Sequence, residues 1–125
     1  MLSCLTQVME ALLTVTDNVG HYEAMDKTDK YCVWAEDMEA SSLEADNYKA
    51  GQMVQGTVDY FTKDEDDPNI ENFQIAFNAA GFNWSLNSVQ YEDETGYIHY
   101  EWLFNVRNEY DGTEVIDGDD EVEGD

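Results

Sequence analysis

Tyr97-Ile98-His99-Tyr100-Glu101-Trp102-Leu103-Phe104-Asn105-Val106 has the strongest alternation of apolar and polar residues in the chain. Ile98, Tyr100, Trp102, Phe104 and Val106 alternate with His99, Glu101, Leu103 and Asn105. Successive side chains leave opposite sides of a pleated strand, so a period of two predicts a strand with one buried face. No other stretch of similar length carries as much apolar area on one side, and the remaining elements must cover it.

Outward from this strand, Glu92-Asp93-Glu94-Thr95-Gly96 is a hairpin-sized loop with a glycine near its end. Before it, Trp84 to Tyr91 reads as a strand with Trp84 and Leu86 on one face and Val89 and Tyr91 on the other, a phase change that marks a bulge. Asp64-Glu65-Asp66-Asp67-Pro68 is the clearest punctuation in the chain. Asp67 can cap a helix beginning at Pro68, where the missing N–H costs nothing, and the acidic run sits at the positive end of the helix dipole. Ile70, Phe73, Ala76, Phe77 and Ala80 form the helix's apolar stripe, and Gly81 supplies the left-handed residue that ends it.

Further upstream, Gln52 to Lys63 alternates, with Val54, Gly56, Val58 and Tyr60 on one face and Gln55, Thr57 and Asp59 on the other. Gly56 inside a strand signals a bulge or a close approach by another element. Tyr31 to Glu36 is rich in strand formers, whereas Asp37 to Asn47 has no period and reads as an exposed loop, as does the polar stretch 21–30. Residues 2–14 read as an amphipathic helix on Leu2, Leu5, Met9, Leu12 and Leu13, widened by Cys4, Val8, Ala11 and Val15, and ended by Thr14 to Gly20. The expected fold is α+β: a mainly antiparallel four-stranded sheet with two helices on one face, in the order α-β-β-α-β-β. Residues 1–107 form the single domain, and 108–125, where nine of eighteen residues are Asp or Glu, form an acidic tail expected to be disordered.

The 125 residues carry 29 acidic and 5 basic side chains, a net charge of -24. A surface of that sign repels nucleic acid and anionic membranes, because phosphate affinity comes from Lys and Arg. Nothing approaches the ~20 apolar residues of a membrane span. No charged leader precedes Lys27, and Cys4 and Cys32 lack metal-ligand spacing, so two buried reduced thiols in a reducing cytoplasm are expected.

No cofactor or metal is expected. The acidic runs 64–67 and 117–121 lack the ordered spacing of a calcium loop, and consecutive carboxylates point in different directions. His99 lies beside Glu101 on the strand face opposite the aromatic stripe, far in sequence from His21. Neither histidine is accompanied by a positioned nucleophile, a phosphate loop or a ligand cluster, so an enzyme is the class with least support. The Trp and Tyr residues of the strands read as core first and interface second; Trp34 is the one most open to an interface role, since Tyr31, Val33 and Ala35 already supply one inward face.

The chain resembles the tail terminator (tail-completion) proteins of long-tailed bacteriophages and prophages. The resemblance runs through the N-terminal helix, Tyr31-Cys32-Val33-Trp34-Ala35-Glu36, Ala45-Asp46-Asn47, Gly56-Thr57-Val58-Asp59-Tyr60-Phe61-Thr62-Lys63, the Pro68 helix, and Tyr91-Glu92-Asp93-Glu94-Thr95-Gly96-Tyr97-Ile98-His99-Tyr100. It spans roughly residues 2–107, on short patterns with no catalytic signature among them. It implies a non-enzymatic subunit that forms a ring, typically a hexamer, at the head-proximal end of the tail tube in the virion, after assembly in the host bacterial cytoplasm. Its partners would be itself, the tail-tube protein and the head-tail connector protein, with DNA passing through an acidic lumen. Loops 37–49 and 64–67 are the candidate neighbour contacts. The candidate interface residues are Trp34, Asp46, Asn47, Asp64, Glu65, Asp66, His99, Glu101 and Leu103. A head-completion or minor capsid protein is the neighbouring alternative; an acidic binding module, either a DNA mimic or a calcium binder, is the alternative from another class.

Overall fold

A computed structural model describes residues 1–45 and 48–110. The elements are a 3-10 turn (Ser3–Leu5), α1 (Thr6–Leu13), β1 (Val19–His21), β2 (Lys30–Ala45), β3 (Tyr48–Thr62), α2 (Asn69–Ala80), β4 (Asn83–Tyr91) and β5 (Ile98–Glu109). The five strands form one sheet in the order β1-β2-β3-β5-β4. Every neighbouring pair is antiparallel except β1 with β2. The sheet is therefore mixed and five-stranded, not antiparallel and four-stranded, and the chain order gains a strand before β2.

The extra strand is short. Val19, Gly20 and His21 pair in parallel with Cys32, Val33 and Trp34. Three residues cannot display a period, so hydropathy carried no sign of it. The connection back to β2 is gathered by Asn18, whose side-chain amide donates to the carbonyls of Asp26 (2.8 Å) and Lys30 (3.0 Å).

A second correction concerns β2. Residues 37–45, expected as loop, continue the strand and pair with β3 as far as Ala45 opposite Tyr48. Register shifts after Glu36, Glu39 and Leu43 scramble the inside-outside alternation. Backbone pairing holds this hairpin where side chains give no pattern. Asp46 and Asn47 lie outside the described residues, as does the acidic segment 111–125. At the other end of the chain β5 runs two residues past the expected boundary at Arg107: Asn108 is buried and donates to Gln52 Oε1 (3.1 Å) and Tyr110 Oη (2.8 Å).

Both helices cover one face of the sheet. The core joins Leu5, Val8, Leu12, Phe73 and Phe77 of the helical layer to Cys32, Trp34, Val58, Tyr60, Trp102 and Phe104 of the strands. The aromatic stripe of β5 thus faces inward as its period predicts, with Trp102, Phe104 and Val106 buried and Ile98 and Tyr100 half-buried. Trp102 donates its indole N–H to Gln74 Oε1 at 3.1 Å, which satisfies the one polar atom it brings inside. Across the 3-10 turn and α1 the burial centres on Leu5, Val8, Ala11 and Leu12, while Leu2 and Leu13 at the stripe's ends are exposed. Cys4 and Cys32 are buried and unbonded.

Gly56 marks a close approach. A β-carbon there would lie 2.5 Å from Phe104 Cζ and still closer to the Ala35 carbonyl oxygen. The bare glycine therefore lets the Phe104 ring lie against the strand. Asp67 caps α2 by accepting the Asn69 backbone N–H (2.9 Å) and also takes the Tyr60 hydroxyl (2.7 Å). Gly81, at φ 86°, ends that helix as expected.

Candidate functional site

The helices leave the other face of the sheet open, and the alternation of three strands decides what it carries. Tyr31, Val33 and Ala35 of β2 lie beside Phe61, Asp59 and Thr57 of β3, which lie beside His99, Glu101 and Leu103 of β5. Each of these β3 and β5 side chains is half-buried by its neighbours on the sheet itself. Trp34 is absent from this surface. It is 1% exposed, because Cys32 and Trp34, not Tyr31 and Val33, point toward the helices. The pattern 31–36 has apolar residues on both sides, and only docking decides which side is covered.

Across the open face runs an aromatic row. Tyr31 stacks on Phe61 (4.6 Å between centroids, 12°), and Phe61 stacks on His99 (4.2 Å, 20°). Tyr97 stands edge-on to Tyr31 at 5.5 Å and donates its hydroxyl to the Thr28 carbonyl (2.6 Å). Next to the row, His99 Nε2 and Asp59 Oδ1 share a hydrogen bond of 2.7 Å, both side chains about one-fifth exposed. Burial pushes the Asp59 carboxyl above its ordinary value, His99 opposes this, and the negative charge of Glu101 adds to it. Glu101 in turn accepts from the side-chain amide of Asn87 (2.9 Å). Asp37 is also pushed up, first by burial and then by Glu101 and Glu36. The face thus gathers carboxylates that repel one another around one imidazole.

The loop after β1 folds over one side of this row and leaves a cleft of about 390 Å³, lined in part by Tyr22, Glu23, Lys27, Val33, Asp59 and Phe61. Tyr22 takes a left-handed backbone conformation (φ 73°), held by its N–H to the Trp34 carbonyl (2.8 Å) and its hydroxyl to Glu36 Oε2 (2.6 Å). His21 lies between the rings of Tyr22 and Trp34 and meets Glu36 Oε1 at 2.7 Å. Although burial pushes the Glu36 carboxyl up, the hydrogen bonds from Tyr22 and His21 hold it below its ordinary value. Each histidine of the chain is therefore paired with a carboxylate, at two separate places.

The expected interface residues do not form one site. His99, Glu101 and Leu103 share the open face. Asp64, Glu65 and Asp66 sit on the exposed turn before α2, where Asp64 Oδ1 accepts the Asp66 N–H (3.0 Å) and Lys30 lies 3.7 Å from Asp64. Asp59, Phe61, Tyr31 and Asn87 complete the site, and sequence reading passed over them. The period of β3 did put Asp59 on the face opposite Tyr60, but only the strand register brings it to His99. Among the described residues no group of three or more His, Cys, Asp or Glu side chains is arranged to hold a metal ion. Among them, too, no helix is long and apolar enough to cross a membrane. No protein-family model matches the chain, and no curated protein matches it.

Proposed function

We propose that this chain is a non-enzymatic structural subunit of a bacteriophage or prophage tail, a tail terminator that forms a ring on the tube and joins it to the head. The observation that carries the reading is the broad sheet face that the two helices leave uncovered. Phe61 and His99 of its aromatic row and the charged cluster are half-buried in the single chain, and assembly with neighbouring subunits or with the tube would bury them further. The β2–β3 hairpin supports the same reading, since its end, where Tyr48 and Lys49 pair with β2 alone, extends past the contact of β3 with the end of β5. A net charge of -24 suits a lumen through which a polyanion slides without adhering. The motifs from Tyr31 to Tyr100 supply the link to tails.

Deletion of the gene from a phage or prophage that carries it tests the reading by electron microscopy of the particles. Tails of uncontrolled length without attached heads are expected. Tails of normal length joined to heads would overturn it. Normal tails beside unstable filled heads would point to head completion instead. Calorimetric binding of calcium by the purified chain would favour an acidic binding module.

A further inference from the structure

The edge strand β4, Asn83–Tyr91, reads Asn-Trp-Ser-Leu-Asn-Ser-Val-Gln-Tyr and holds no charged residue, in a chain with 29 acidic and 5 basic ones. β4 lies at the margin of the sheet, paired on one side with β5. Strand margins are ordinarily protected by charge, and β2 beyond Trp34 has Glu36, Asp37 and Glu39. β4 has no such protection. The register shift between Leu86 and Ser88 has a specific consequence. Trp84, Leu86, Val89 and Tyr91 stand opposite Phe104, Trp102, Tyr100 and Ile98, so all four lie on the helix-covered side instead of splitting between faces. α2 does not reach the outer part of that row: Leu86 is 45%, Val89 50% and Tyr91 65% exposed.

We infer that β4 pairs with β4 of a second copy of this chain, antiparallel, about a two-fold axis between Asn87 and Ser88. The strand is self-complementary in that register. Trp84 meets Tyr91 and Leu86 meets Val89 on the helix side, while Ser85 meets Gln90 and Asn87 meets Ser88 on the open side. An isologous contact needs such a surface. Charge on the strand itself does not oppose this partner. Two copies of net -24 repel wherever carboxylates face each other, and β4 brings none to the contact. The inference goes beyond the tail reading and does not depend on it: a failed deletion test would leave this pairing intact, and a failed pairing would leave the tail assignment intact.

Sedimentation equilibrium of the purified chain at low and high salt tests it. A closed dimer, twice 14.3 kDa, is expected, tightening as salt screens the repulsion between copies. Leu86→Glu or Val89→Glu should weaken it about tenfold, whereas Ile75→Glu, the same charge change on the exposed side of α2, should not. Circular dichroism verifies that each variant folds. Register is read by mixing Leu86→Cys and Val89→Cys chains under oxidation: the mixed disulfide should exceed either homodisulfide, since only the mixed pair stands directly opposite. A monomer at both salt levels, open-ended oligomers, undiminished association of the Leu86→Glu variant, or homodisulfides equal to the mixed one would each overturn the pairing.

Discussion

The two faces of β2, β3 and β5 are built from alternate residues of the same strands, yet they hold opposite kinds of chemistry. On the helix side Trp34, Val58, Tyr60, Trp102 and Phe104 are fully buried, and the Tyr60 hydroxyl and Trp102 indole N–H are hydrogen-bonded. On the open side Asp59, His99 and Glu101 are half-buried, and burial with the nearby Glu101 pushes the Asp59 carboxyl above its ordinary value. The contrast teaches that residues of one parity on these strands build the core while those of the other parity carry the charge. A substitution at one position and at the next along the same strand should therefore act on different properties.

The largest effect is expected where the helix side is tightest. Gly56→Ala forces a methyl into the Ala35 carbonyl and the Phe104 ring, and Trp102→Ala empties a fully buried aromatic site. Each should cost about 3–5 kcal/mol in chemical denaturation. A loss below about 1 kcal/mol for both would refute the division of labour.

Asp67 should rank next. Burial pushes its carboxyl up, but the Asn69 N–H, the Tyr60 and Thr62 hydroxyls and Lys30 together hold it below its ordinary value of 3.8. A depressed carboxyl stabilises the fold above that ordinary value, and the contribution is lost as pH falls from there through the lower folded value. Asp67→Asn should cost about 2 kcal/mol at neutral pH, through the lost cap and the weakened bond to the buried Tyr60 hydroxyl. It should also flatten the acid limb of stability against pH, measured by urea unfolding.

Asp59 should respond with the opposite sign. Its folded value is raised, so it weakens the fold at neutral pH, and stability recovers as pH falls through the raised value toward 3.8. Asp59→Asn should therefore leave neutral stability unchanged or raise it by less than about 1 kcal/mol. If the open face is a recognition surface, the same substitution should weaken subunit or partner association at least several-fold. A stability loss like that of Trp102→Ala would place Asp59 among the core-building residues instead.

How much of this was legible depends on how local the cause is. The helix after Pro68 was readable because its cap, stripe and terminating glycine are all local, and Asp67, Phe73, Phe77 and Gly81 do what their types suggest. The inward stripe of β5 was readable because five large residues leave no other arrangement. The bulge in β4 was visible as a phase change, but its result was not. The shift after Leu86 brings the apolar residues together on one face, and only pairing with β5 reveals that. The His99–Asp59 pair joins residues forty positions apart, which register alone could bring together.

By itself, the sequence determined the acidic surface, the second helix with its ends, and the parity of β3 and β5, because composition and side-chain period are properties of neighbouring residues. The tertiary structure decided the length of β2, the presence of β1, the inward turn of Trp34 and the assembly of the open face. Those outcomes depend on backbone pairing between distant segments and on which side of the sheet the helices bury. Hydropathy along one strand does not encode either.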